Sequence, residues 1–232
     1  MEEKGIRINK FLSEYGLCSR READRRIEAG RVTIDGVVAD TGQRVMPDSV
    51  VMVDGVEIER KHTDVCIMLN KPPGIVCTAS KKDPDNIIDF VGYPERIYPI
   101  GRLDKASRGL ILLTNDGDLA NRLTKTSESH EKEYEVTVDH DITEDFIRRM
   151  SAGVYLPELD RTTIKCRVSR LSDRSFSIVL IQGLNRQIRR MCHELGYEVV
   201  DLYRTRINDL RLEDLPEGTW RELSVFERIN LL

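Results

Sequence analysis

No stretch of this sequence approaches the roughly 18 consecutive apolar residues that suggest a membrane-spanning helix. The start, Met1-Glu2-Glu3-Lys4-Gly5, lacks the apolar segment behind a basic start that marks a secretory leader, so a cytoplasmic location is expected. Cysteine is scarce and scattered: Cys18, Cys66, Cys77, Cys166 and Cys192 are odd in number and form no Cys-x-x-Cys pair. That argues against a disulfide framework or a zinc site and fits reduced thiols. His62, His130 and His140 have no metal-ligand spacing, so no metal is expected, and Cys192 and His193, helix neighbours pointing about 100° apart, read as a buried thiol and a surface imidazole rather than a nucleophile and its base. Internal repeats and low-complexity tracts are absent as well. So is a basic excess: 36 Lys and Arg against 40 Asp and Glu give a net charge of −4.

The residues present, 40% hydrophobic and 33% charged, are those of a soluble globular protein. At 232 residues the chain has room for one ordinary domain and a small second one. Net charge is a weak guide to a polyanionic partner, because the position of the positive charge decides. Arginine is locally dense in three places: Arg20, Arg21, Arg25, Arg26 and Arg31; then Arg186, Arg189 and Arg190; then Arg204, Arg206 and Arg211. Any one cluster could simply solvate a helix face; three together favour a nucleic-acid surface.

Residues 1–60 read as a compact unit. Ile8, Phe11, Leu12 and Tyr15 recur at helical spacing and Gly16 closes the helix. Ser19 and Glu22 have the spacing of a capping box, and the helix they open runs to Gly30 with its arginines facing outward. Val32 to Ile34 and Val37-Val38 flank Asp35-Gly36, while Val50 to Val53 and Val56 to Ile58 flank Asp54-Gly55. Both are strong hairpin signals. Residues 59–64 read as a linker. Over 65–232 the pattern predicts strands at 65–69, 75–78, 109–114, 134–138, 164–168 and 176–181, with helices near 118–125, 144–152 and 185–195. Strands without regular βαβ alternation predict an α+β fold with a largely antiparallel sheet. Trp220 reads as a core residue of a closing strand, and the Lys71-Pro72-Pro73-Gly74 turn as structural.

The segment richest in chemistry is Gly101-Arg102-Leu103-Asp104-Lys105-Ala106-Ser107-Arg108-Gly109-Leu110, which sets one acid among Arg102, Lys105 and Arg108 directly before an apolar strand. From composition and spacing alone, such an aspartate is most often a surface ion-pair partner. A glycoside hydrolase would need a second carboxylate across a cleft, and only one acid here stands in a recognisable motif.

Gly101 to Asp104 followed by Ser107, Gly109 and Leu110 resembles the signature of pseudouridine synthases. Asn70 to Gly74, Glu131 to Tyr134, and Gln182 to Met191 resemble that family's other motifs, in the family's order. Residues 6–58, notably Arg7 to Leu12 and Ser19 to Ala23 through Gly30 to Val32, resemble the S4 RNA-binding domain. The combination is most similar to the RsuA-type branch acting on ribosomal RNA. His130 to Tyr134, Met150 to Val154 and Arg204 to Ile207 are most similar to its large-subunit (23S) members.

The resemblance implies a small S4-like helical/β domain followed by a synthase domain with a mostly antiparallel mixed sheet flanked by helices. It implies Asp104 as the catalytic carboxylate, paired with Arg189. Tyr134 and Ile188 would lie against the base, and Arg102 would fill the gap left by the extruded uridine. Arg7, Lys10, Arg20, Arg21, Arg25, Arg26, Arg186 and Arg190 would contact RNA. No cofactor is implied, nothing demands more than a monomer, and transfer RNA is a second possible substrate. The alternative is an RNA-binding or ribosome-assembly factor whose isomerase domain no longer turns over.

Overall fold

The computed structural model describes residues 5–59, 64–125 and 130–231. It divides into two compact units, one built on residues up to Asp64 with Pro94–Arg96 and Asn115–Gly117, the other on the remainder. Most of the linker expected at 59–64 lies outside the described residues, as does His62.

The smaller unit runs β1 (Ile6–Arg7), α1 (Ile8–Glu14), α2 (Arg20–Glu28), β2 (Val32–Ile34), β3 (Val37–Val38), β4 (Arg44–Val45), β5 (Val51–Val53) and β6 (Val56–Glu57). Ile8, Phe11 and Leu12 of α1 and Ala23 and Ile27 of α2 are buried with Val32, Ile34, Val51 and Val53 in one apolar cluster. The four-stranded sheet has the order β3-β2-β5-β6. Both Asp-Gly pairs turn as the sequence predicts, with φ of 51° and 82° at Asp35 and Gly36 and of 52° and 79° at Asp54 and Gly55. The expected capping box is only half made. Ser19 accepts from the Glu22 amide, but the Glu22 carboxylate turns to Arg25 and Arg26. Two adjacent guanidinium groups compete better for that carboxylate than one backbone amide.

The larger unit continues with β7 (Cys66–Lys71), α3 (Ile87–Val91), β8 (Tyr98–Ile100), β9 (Arg108–Thr114), α4 (Gly117–Thr124), β10 (Lys132–Val138), α5 (Glu144–Ala152), β11 (Tyr155–Leu156) and β12 (Arg161–Thr162). It ends with β13 (Arg167–Arg170), β14 (Ser175–Leu180), α6 (Gln187–Glu194), β15 (Val199–Ile207), β16 (Leu210–Arg211), β17 (Trp220–Glu222) and α7 (Val225–Asn230). One mixed sheet has the order β13-β14-β10-β15-β9-β7-β17, with β8 added to β9 and β16 to β15. Every pairing in it is antiparallel except β15 with β9. The fold is therefore α+β with an antiparallel-dominated sheet, as the sequence indicates.

The parallel pairing is short, matching only Tyr203 with Arg108 and Arg204 with Gly109. Two antiparallel half-sheets thus meet at a narrow seam. A Cβ at Gly109, whose φ is +108°, would sit 2.3 Å from the Arg204 carbonyl oxygen, so only glycine lets the strands approach there. Val136, Phe176, Ile178, Ile188 and Met191 form a core on one half and Ile67, Leu69, Ile87, Leu103 and Ile111 one on the other, while a third cluster crosses the seam with Met68, Leu110 and Leu112 of one half and Ile207 and Leu210 of the other. Tyr134 packs against the first two.

Several elements depart from the sequence reading. Residues 75–78 make a single bridge, Val76 to Asn86, because Asn86 leaves to cap α3 by accepting from the Asp89 amide. The strand expected at 164–168 starts at Arg167. Strand β15, nine residues long, is not foreseen, nor are the short helices α3 and α7. Trp220 is not a core residue: it is 37% exposed, stands edge-on to Tyr93 and donates its indole N–H to the Val91 carbonyl. Thr143 caps α5 as expected. Gly109→Ala should cost more than about 2 kcal/mol, from positive φ and backbone overlap, which the midpoint of urea unfolding will read.

Candidate active site

Asp104 lies in the turn between β8 and β9, and backbone-directed bonds shape that turn. The Ser107 amide donates to the Asp104 carbonyl at 3.0 Å, and the Gly74 amide donates to the Lys105 carbonyl at 2.8 Å. The Leu103 amide donates to the Cys77 sulfur at 3.3 Å. Lys71, at the end of β7, is wholly buried. Its ammonium donates to the carbonyls of Ser107 at 2.7 Å, Pro72 at 2.8 Å and Lys105 at 3.4 Å. Burial pulls Lys71 below the ordinary lysine range, and the charge of Arg204 adds to this. The lysine is structural, as the sequence suggests, but what it holds is the Asp104 turn. The Asp104 side chain itself is 33% exposed.

Helix α6 turns two arginines toward that carboxylate. Arg186 Nη1 is 3.8 Å and Arg189 Nε 4.0 Å from Asp104 Oδ2. Both are ion-pair distances longer than a hydrogen bond. Arg189 also donates to the Val199 carbonyl at 3.1 Å and to Ser107 Oγ at 3.4 Å. Burial and the charge of Arg186 pull Arg189 below the ordinary arginine range, against the opposing pull of Asp104 and Asp201. Its Nε is buried with no hydrogen-bond partner. Arg190 is tied to Glu158 and to Asn185. A cavity of about 360 Å³ beside this helix is lined by Arg186, Arg189, Arg190, His193, Glu158 and Glu198, among others.

Behind the turn lies the sheet. Tyr134 is half-buried on β10, Ile188 is buried on α6, and both belong to the same apolar cluster. The other cluster that Tyr134 touches contains Leu103, the neighbour of Asp104. Arg102 is exposed.

The arginines of β15 correct the sequence reading, which counted them with a surface cluster. Arg204 is 3% and Arg206 8% exposed. Arg206 is bound by Glu133 at 2.6 Å and Glu131 at 3.0 Å. Arg204 donates from Nε to the Leu110 carbonyl at 2.6 Å, and its guanidinium carbon lies 6.0 Å from the centre of the Tyr134 ring. Its Nη2 is buried without a partner. The signal that could have found them is their spacing of two from Leu202, since Leu202, Arg204 and Arg206 share one face of a strand, and that face is buried. Lys132, two residues before Tyr134 and so on the same strand face, donates to the His130 carbonyl at 3.0 Å. Burial, helped by the charge of Arg204, pulls Lys132 down to about 8.

Among the other residues named from sequence, Cys192 is buried and His193 is exposed beside Glu198, as expected. In the smaller unit Arg7, Arg20, Arg21 and Arg25 are exposed. Arg26 is half-buried against Glu22, and Lys10 pairs with Glu14 at 3.2 Å. Among the described residues no cluster of three or more His, Cys, Asp or Glu side chains is placed to hold a metal ion, and no helix is long and apolar enough to cross a membrane.

Comparison with known proteins adds to this geometry. Residues 65–194 match the family described as RNA pseudouridylate synthase, and residues 6–51 match the S4 domain. The chain belongs to the RNA pseudouridylate synthase family. It is 52% identical to the dual-specificity RNA pseudouridine synthase RluF of Escherichia coli (strain K12), over 100% of this chain and 80% of that protein. It is 33% identical to the ribosomal large subunit pseudouridine synthase B of Bacillus subtilis (strain 168), over 95% of this chain and 93% of that one. A solved structure titled as a crystal structure of pseudouridylate synthase shares 28% identity and a TM-score of 0.72, covering 98% of this chain and 100% of its own. As a member of this family the protein is an isomerase that converts uridine to pseudouridine in RNA.

The position of Lys132 in this synthase gives a pH signature. In the folded protein it loses its proton near 8, whereas an unfolded chain keeps it up to the ordinary lysine value of about 10.4. Between those values the unfolded state binds more protons, so stability should rise with pH across that window. Urea midpoints measured from pH 7 to 10.5 should show a smaller rise for Lys132→Met than for the wild type.

Proposed function

We propose that this synthase isomerises a specific uridine of ribosomal RNA, with 23S RNA as the first substrate, through the Asp104 carboxylate. The observation that carries the reading is the placement of Asp104: a partly exposed acid on a turn anchored by buried Lys71 and faced by Arg186 and Arg189. The names of the relatives support ribosomal RNA, and the description "dual-specificity" of the 52% identical one keeps transfer RNA as a second substrate.

The reaction exchanges an N1–C1′ bond for a C5–C1′ bond. A hydrogen leaves C5 and one is gained at N1, so atoms and electrons balance without a cofactor. Asp104 acts at the sugar, as nucleophile at C1′ or as base at C2′. Either role is that of a carboxylate, and Arg186 and Arg189 stand at ion-pair distance from it. The target must leave the stack to be reached. Tyr134 offers its ring to the extruded base, an interaction worth about 1–3 kcal/mol, and Ile188 supplies apolar contact. Arg102, exposed two residues before Asp104, fills the space the uridine vacates.

Residues 1–60 act as the S4-like RNA-binding domain and 65–232 as the catalytic domain, in a cytoplasmic monomer. Arg7, Lys10, Arg20, Arg21, Arg25, Arg26, Arg186 and Arg190 contact RNA, with Arg190 exchanging Glu158 for phosphate. A ribosome-assembly factor with a silent isomerase domain is the weaker reading, since such a protein would be free to lose Asp104, Tyr134 and Arg189.

Pseudouridine mapping in ribosomal RNA from cells lacking the protein should show one lost site, restored by wild type and not by Asp104→Asn. A map that never changes would favour the assembly factor. Replacing Arg20, Arg21 and Arg25 with glutamine should weaken RNA binding and reduce the salt slope by about 0.7 per lost phosphate contact on single-stranded RNA. An unchanged slope would remove this face from the RNA surface.

A further inference from the structure

The active-site floor carries more buried positive charge than the proposed roles use. Lys71, Arg189 and Arg204 are buried or nearly so, and Lys132 is half-buried. The charge of Arg204 acts on both Lys71 and Lys132. Lys71 spends its donors on backbone carbonyls, those of Lys105 and Ser107 in the Asp104 turn and that of Pro72. Arg204 is different. Its Nε is fixed on the Leu110 carbonyl, its backbone is locked against Gly109 at the seam, and its buried Nη2 has no partner. Among the described residues no carboxylate bonds it, whereas Arg206, two residues on, is held by two. A rigid cation with an unmet donor, 6.0 Å from the ring that meets the base, is a preorganised site for negative charge.

The isomerisation creates such a charge. When the N1–C1′ bond breaks, the electron pair stays on the base, giving an anion spread over N1 and the two carbonyl oxygens. The base turns, C5 bonds to C1′, and the proton on C5 is lost while N1 gains one. We propose that Arg204, with Lys132 beside it, binds a carbonyl oxygen of the detached uracil and stabilises its negative charge while it turns. The inference rests on the functional reading above. It assigns to two cations outside the Gly-Arg-Leu-Asp motif the electrostatic half of the reaction, and leaves the sugar to Asp104.

The test is the single-turnover rate of conversion of transcribed 23S RNA at saturating enzyme, with RNA affinity and urea midpoint measured for each variant. Arg204→Gln should slow conversion about 100- to 1,000-fold with RNA affinity unchanged. Arg204→Lys should recover part of the loss, because it restores charge without the guanidinium fork. A structural role alone would lower the midpoint and leave the rate of the folded fraction intact, and that result overturns the inference. Lys132→Gln, outside the β15–β9 pairing, gives the same test if the Arg204 variants fail to fold: a slower rate supports the inference and an unchanged one overturns it. If the wild type converts no uridine, the functional reading itself fails. If the wild type converts and both glutamine variants match it, only this inference does.

Discussion

The contact on which the larger unit depends is the approach of the Arg204 backbone to Gly109. Two antiparallel half-sheets meet there in a parallel pairing only two residues long, with an apolar cluster of Met68, Leu110, Leu112, Ile207 and Leu210 crossing the same seam. Strand β9 begins at this point, four residues after Asp104, so the seam sets where the Asp104 turn meets the sheet. Tyr134 spans the same junction by packing against a core on each half. One missing side chain thus permits the close approach of the two strands at the seam.

Around that seam the molecule gathers cations in a setting of low dielectric. A charge without a hydrogen-bond partner is costly when buried, on the order of 1–3 kcal/mol for the lost bond. Lys71 escapes that cost by using backbone carbonyls as ligands, which ties the shape of the Asp104 turn to the end of β7. Arg206 escapes it through Glu131 and Glu133. Arg189 and Arg204 do not escape it completely, and each keeps one buried N–H unmet. The unmet donors lie beside Asp104 and beside Tyr134, the two groups to which the proposed function gives the chemistry.

Much of this was legible in the sequence, for identifiable reasons. The Asp-Gly pairs demand positive φ at two successive residues, and both hairpins formed where they stand. Thr143 and Ser19 announced their helices through side chains that satisfy free amides. What stayed hidden was whatever depended on distant partners. Strand β15 looked like a charged surface segment because Arg204 and Arg206 find their ligands on β9 and β10, far away in the chain. Lys71 read as a turn residue, since the carbonyls it binds lie 34 and 36 positions on. Asp104 itself came from resemblance: its chemistry comes from neighbours on α6 that local spacing does not bring near.

The acidic balance of the chain takes on a different meaning beside these placements. A protein of net charge −4 that exposes its arginines along α2 and at Arg186 repels a polyanion over much of its surface and attracts it at few places. Misdirected encounters are short-lived under such a field, because like charges meet first. Under the proposed function, selectivity then begins before any base is read: the long-range field filters orientations, and RNA arriving along the proposed cationic contacts stays longest.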